Sequence, residues 1–194
     1  MASNTGLEKL VPYLLIGLAG WDIANAALPM VSTRPNGGCD IRKAICSINN
    51  GTVSGVIQFR TQRSSEGVSV TGQISGLSPG LHGFHVHEFG DLSNGCASTG
   101  GHYNPTNMDH GAPTDSQKHV GDLGNIEADR SGVADLNMVG DQMRLCGPMS
   151  IMGRAIVVHG GEDDLGRGGN QASRNNGNAG PRVGCCIIGV ANNS

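Results

Sequence analysis

From Ile41 onward, apolar and polar residues alternate along the chain. Val53, Gly55, Ile57 and Phe59 alternate with Thr52, Ser54, Gln58 and Arg60; Val68, Val70, Gly72 and Ile74 alternate with Ser69, Thr71 and Gln73. Successive side chains of a strand point to opposite faces, so a period of two predicts strands with one buried face. Asn49-Asn50-Gly51 and Ser65-Glu66-Gly67 supply turns between these runs. Residues 123–128 and 133–138 predict a hairpin around Asp129-Arg130-Ser131-Gly132, and residues 152–158 and 184–190 two further strands. Gly83-Phe84-His85-Val86-His87-Glu88-Phe89 is rich in aromatic and β-branched residues and reads as one more. Many short strands with no helical period indicate an antiparallel sandwich or flattened barrel of about eight strands.

Two stretches break the alternation. One runs from the end of the histidine-bearing strand to Asp122 and is full of Gly, Asn, Pro and Ser; the other, residues 160–181, is rich in Gly and Asn. Structureless loops this long are uncommon in compact domains and are usually functional, and a rigid β scaffold is where such loops carry binding groups.

Composition narrows the reading. The chain has 194 residues and 32 glycines, with 3% aromatic and 15% charged residues. Glycine follows no fixed period, so the chain is not collagen-like. The net charge is −3 and no basic patch stands out, which argues against nucleic acid as a partner. Residues 10–20 are apolar but too short to span a bilayer. Lys9 precedes them and Ala24-Asn25-Ala26 resembles a small-residue cleavage site, the pattern of a secretory signal peptide over about residues 1–26. Glu8, Pro12 and Asp22 run against that pattern, and the alternative is an extra segment on a cytoplasmic enzyme. Residues 31–38, VSTRPNGG, read as a linker. The expected organisation is an N-terminal extension, 1–40, and one domain, 41–194, in an extracellular or, alternatively, a cytoplasmic protein.

Six of the seven histidines lie between Leu81 and Asp122: His82, His85, His87, His102, His110 and His119. His159 ends the apolar run Ala155-Ile156-Val157-Val158. His85 and His87, two apart on a strand, share a face and can converge on one ion. His102, His110 and His119, with Asp122 three residues after the last, give three imidazoles and one carboxylate, a closed tetrahedral zinc set. His85, His87 and His159 suit copper, which takes nitrogen ligands in a tetragonal arrangement. A lone histidine is more often a surface or core residue than a ligand; this concentration, with a same-face pair and an Asp-terminated triplet, favours metal.

Gly83-Phe84-His85-Val86-His87-Glu88-Phe89-Gly90-Asp91, Gly121-Asp122-Leu123-Gly124-Asn125 and Gly177-Asn178-Ala179-Gly180-Pro181-Arg182 resemble the signatures of copper/zinc superoxide dismutases. The resemblance runs from about Leu81 to Ala191 and more loosely back to Ile41. It implies an all-β, eight-stranded antiparallel Greek-key barrel or sandwich, immunoglobulin-like, with two long functional loops. It implies one copper ion per subunit on His85, His87, His102 and His159, one zinc ion on His102, His110, His119 and Asp122, and His102 as a bridge. Asp163 would accept from His85 and His110, and His82 would make a structural hydrogen bond beside the copper strand. The activity implied is conversion of superoxide to hydrogen peroxide and oxygen, with His102 and Arg182 catalytic; the alternative is a non-catalytic copper-binding or copper-delivery protein on the same scaffold. Arg182 would guide the anion, against the plainer reading of a surface arginine paired with an acid. A homodimer, with Gly90, Met152, Gly153 and residues 188–190 near its contact, and a copper chaperone are the implied protein partners.

The resemblance also implies a Cys96–Cys185 disulfide. Its closed loop of about ninety residues would contribute roughly 4–5 kcal/mol in the chain-entropy model. Cys46, in the first strand, is most simply a buried thiol; Cys39, Cys146 and Cys186 have no assigned partner, and Cys186 should point away from the Cys185 bond. Asn50-Gly51-Thr52 and Asn192-Asn193-Ser194 match glycosylation acceptors, although the first also reads as an ordinary turn. The chain departs from common family choices at Gly101 and Tyr103. In the second loop Gln171, Ala172 and Asn175 stand where acids and a lysine are frequent, with Arg174 nearby. Fewer charges predict a weaker dependence of rate on ionic strength.

Overall fold

The structure, a computed structural model, describes residues 38–62 and 67–192. The expected signal peptide, most of the linker, part of the Ser65-Glu66-Gly67 turn and the end of the second acceptor triplet lie outside these residues. Among the described residues ten strands are formed: β1 (Lys43–Asn50), β2 (Val53–Thr61), β3 (Val68–Ser75), β4 (Gly80–His87), β5 (Ser93–Cys96), β6 (Asp122–Ala128), β7 (Val133–Gly140), β8 (Ala155–His159), β9 (Arg182–Ile187) and β10 (Gly189–Val190). Nine build two antiparallel sheets, β10-β1-β2-β3-β7 and β6-β4-β8-β9, packed as a sandwich. No helix among the described residues is long and apolar enough to cross a membrane.

The alternating side chains meet between the sheets. Ile57 and Phe59 from β2, Val70 and Ile74 from β3, Phe84 and Val86 from β4, and Ile156 and Val158 from β8 are fully buried. Burying each of these large apolar groups contributes about 1.5–3 kcal/mol. The β1–β2 turn closes at Gly51, whose φ of 60° suits glycine, with Asn50 opposite Val53.

Two expected elements differ. Residues 123–128 and 133–138 are strands, but they do not form a hairpin: β6 pairs with β4 in one sheet and β7 with β3 in the other. The Asp129 turn is a corner between sheets, held by its Oδ1, which accepts from Ser131 N and Val133 N. The last expected strand is split at buried Ile188, so that β9 pairs with β8 and β10 crosses to pair with β1. The second loop also holds a six-residue helix, α1 (Gln171–Asn176). Its sequence, QASRNN, has no apolar period; its ends define it, with Asn170 accepting from Ser173 N and Gly177 left-handed.

The cysteines correct the reading of Cys46 as a thiol. Cys46 on β1 is bonded to Cys186 on β9, joining the two sheets through the core, and Cys39 is bonded to Cys146. Cys96 is bonded to Cys185. All six cysteines of the chain are therefore paired.

Candidate metal centre

The four-stranded sheet positions the site. On β4, Phe84 and Val86 fill the core while His85 and His87 face the long loops, and all four are buried. The register between β4 and β6 shifts between Gly83 and His85, and that between β8 and β9 shifts at Val158 and His159. Bulges of this kind re-aim side chains next to functional sites. His159 is 72 residues from His87 in sequence, yet their Nε2 atoms are 3.4 Å apart.

Two clusters result. Ligand-type atoms of His85, His87, His102 and His159 all lie within 4.8 Å of one another, as do those of His102, His110, His119 and Asp122. His102 belongs to both. The structure thus brings together His85, His87, His102, His110, His119 and His159 and places His82 outside both clusters. The ring nitrogens of His82 lie 2.7 Å from the His159 carbonyl oxygen and 2.8 Å from that of Ser78, bracing β4 against β8.

The hydrogen bonds facing away from each cluster fix which nitrogen faces in. His87 Nδ1 donates to Gly100 O and His159 Nδ1 to Gly180 O, leaving both Nε2 lone pairs inward. His85 Nε2 donates to Asp163 Oδ2 at 2.8 Å, so its Nδ1 is the inward atom. That Nδ1 and His102 Nε2 are buried without a hydrogen-bond partner. An orphaned buried nitrogen is costly, and a bound cation would satisfy both.

In the second cluster three Nδ1 atoms surround one oxygen: His102, His110 and His119 stand 2.8, 3.0 and 3.1 Å from Asp122 Oδ1. His110 Nε2 already donates to Asp163 Oδ1, so a neutral His110 turns a lone pair on Nδ1 toward that carboxylate. Such a contact needs a proton or a metal ion between the two atoms. Burial pulls the His110 pKa down, but the Asp122 and Asp163 carboxylates outweigh it and raise the pKa to about 9; the approach to Asp122 lacks hydrogen-bond geometry, so His110 Nδ1 is a third buried nitrogen without a partner.

The other cluster has the opposite character. Burial lowers His159 to about 4 and His102 to about 3, and it holds His85 and His87 below the usual histidine value as well. These imidazoles are neutral near pH 7, with lone pairs ready for a metal. Burial works to raise Asp122 and Asp163, but their histidine partners hold both well below the carboxylate range. Four neutral nitrogens suit copper, and three nitrogens with a carboxylate suit zinc.

Asp163 connects the clusters, accepting from His85 on one oxygen and from His110 and Leu165 N on the other. Its backbone is clamped by Asn125, whose amide donates to Asp163 O and accepts from Asp163 N, both at 2.8 Å. Neither Asn125 nor Gly177 received a role from the sequence. Gly177 has φ of 67°, and a Cβ there would come within 1.8 Å of Asp163 Oδ1 and 2.7 Å of His110 Nε2. Both residues stood inside the quoted motifs, which was the available signal.

A cavity of about 460 Å³ opens over the four-histidine cluster, lined by His87, His102, His159, Ala172, Asn175 and Arg182, among others. Arg182 does not pair with an acid among the described residues. Its guanidinium donates to the carbonyls of Cys96, Ala97 and Gly100 and to Thr99 Oγ1. Burial lowers its pKa from the usual arginine value, but the group stays charged. Cys96, which anchors one of those carbonyls, is the residue bonded to Cys185. Tyr103, beside His102, is buried, with Arg154 stacked 3.5 Å over its ring.

A family model described as copper/zinc superoxide dismutase matches residues 53–188. The crystal structure of the clock protein EA4 is similar, with 46% sequence identity and a TM-score of 0.76 over 79% of this chain and 98% of that one.

Proposed function

The chain belongs to the copper/zinc superoxide dismutase family, and from that premise we propose that it converts superoxide to hydrogen peroxide and oxygen. Copper would be held by His85, His87, His102 and His159, and zinc by His102, His110, His119 and Asp122, one of each per subunit. When bound, copper supplies one-electron reduction and reoxidation, while zinc, which has no redox chemistry, supplies structure. The observation that carries the reading is His102, the one side chain common to both clusters, with an unpartnered Nε2 on the copper side.

The chain's own groups account for the rest. Arg182, charged and held by loop carbonyls at the cavity, attracts the small anion and fixes its orientation. His102 Nε2 faces the cavity side and can take up a proton and release it to the departing product, while Nδ1 stays on the Asp122 side. Gly100 O, Gly180 O and Asp163 keep the other imidazoles in the tautomer that turns a lone pair inward. Ile187 (44% exposed) leaves an apolar surface beside Gly90 and Gly153 that fits a homodimer contact.

A second reading, a non-catalytic copper protein on the same scaffold, has one observation in its favour: the similar EA4 is named a clock protein. The copper- and zinc-loaded protein should consume superoxide far faster than spontaneous dismutation. His159→Ala should abolish that turnover with zinc still bound. A loaded wild type no faster than solution would overturn the proposal in favour of the second reading, and an active His159→Ala variant would overturn the assignment of His159 to copper.

A further inference from the structure

The three disulfides and one surface turn point beyond the metal centre. The Cys46–Cys186 and Cys39–Cys146 bonds come in addition to the bond the family resemblance implies, and no thiol is left free. They join positions 140, 107 and 89 residues apart, so all depend on oxidation that keeps pace with folding of the whole domain. A chain with every cysteine bonded fits an oxidising compartment on an export route and not a thiol-rich cytosol.

In that setting the triplet Asn50-Gly51-Thr52 takes on chemical meaning. It occupies the β1–β2 turn, where Gly51 and Thr52 are exposed and Asn50 is half-buried. Asn50 Oδ1 accepts from Cys185 N at 3.1 Å. The amide carbonyl is thus directed inward, and Nδ2, the atom that carries an N-linked sugar, makes none of the described hydrogen bonds. An open depression of about 360 Å³, lined by Ser47, Asn49, Asn50, Leu92 and Gly95 among others, adjoins the site and leaves room for a bulky group. Attachment at Nδ2 replaces one N–H and keeps the carbonyl as an acceptor, so the bond to Cys185 N survives modification.

We propose that the chain is exported and that Asn50 is a carbohydrate attachment site. The co-reactant is an oligosaccharide carried on a lipid pyrophosphate. A bond forms between Asn50 Nδ2 and the anomeric carbon of the first sugar, and the bond from that carbon to the pyrophosphate oxygen breaks. The lipid pyrophosphate leaves, and the amide loses one proton; no oxidant or reductant takes part. Transfer occurs on the chain before the turn folds, and the folded turn then holds the glycan on the surface. The proposal rests on export and is independent of the dismutase reading.

The test is production of the full chain in a eukaryotic secretory host, followed by treatment of the secreted protein with an N-glycan amidase and mass spectrometry of the peptide containing position 50. The expected result is a glycopeptide that the amidase converts to aspartate at position 50. Thr52→Ala should remove the glycan, and Asn192→Gln should leave it in place. Superoxide consumption by the loaded protein is measured alongside and should not follow the glycan. Secreted protein with three disulfides and an unmodified Asn50 would overturn the glycosylation site. Wild-type protein retained in the cell with free thiols would overturn export as well. Peptide mapping of the wild type decides the matter even if a variant fails to fold.

Discussion

Asp163→Asn should weaken copper binding far more than zinc binding. The carboxylate takes three donors: His110 Nε2 and Leu165 N on Oδ1, and His85 Nε2 on Oδ2. Asparagine keeps one acceptor oxygen and replaces the other with a donor. Placing the oxygen at the Oδ1 position preserves two of the three hydrogen bonds, so the new NH₂ faces His85. His85 must then accept at Nε2, which moves its proton to Nδ1, the atom that faces the copper cluster. The charge-assisted bond from His85 is exchanged for a neutral one from the amide, a difference of about 1 kcal/mol, and copper must displace a proton that was not there before. The expected copper affinity falls about 10–100-fold, with zinc affinity changed only several-fold. Competition against a chelator of known affinity, run separately for each metal, reads both numbers. Equal weakening of the two metals, or loss of zinc with copper retained, would refute the tautomer assignment.

Three further outcomes are expected. For the metal-free protein, the folded-state pKa values of His102 and His159 lie below the ordinary 6.5, at about 3 and about 4, so their contribution to stability is present above about 6.5 and lost as pH falls through those values. His110, raised to about 9, contributes fully below 6.5 and loses that contribution as pH rises through 9; calorimetry should therefore place the highest melting temperature near pH 6.5, and a steady rise from pH 5 to 9 would contradict this. Replacing both Cys46 and Cys186 with alanine should cost about 2–5 kcal/mol, seen as a lower denaturation midpoint with both metals still bindable, and an unchanged midpoint would mean the core bond adds nothing. Arg182 is the one cationic side chain among the residues lining the cavity, so the rate of superoxide consumption should fall only shallowly with added salt, and a steep fall would show a longer-range field at work.

The sequence by itself determined which residues turn inward and which chemistry they bring. The period-two runs located the strands because alternation records burial directly, and the two-residue spacing of His85 and His87 placed both imidazoles on one face. The histidine concentration favoured metal binding, and motif resemblance pointed to Asp163 and Arg182. What covers each strand was not legible. Alternation says that one face is buried but not which strand lies against it, so β6 and β7 read as a hairpin although they belong to different sheets. The same limit hid the partners of Cys46 and Cys39, which are 140 and 107 residues away. Helix α1 escaped notice because its caps and Ser173, whose hydroxyl donates to Asp164, hold it in place of an apolar stripe. His159 meets His87, and Asn125 clamps Asp163, only once the sandwich closes and brings β4, β6, β8 and the second loop together. Local pattern follows from the covalent geometry of neighbouring residues, while contacts between distant segments depend on how the whole core packs.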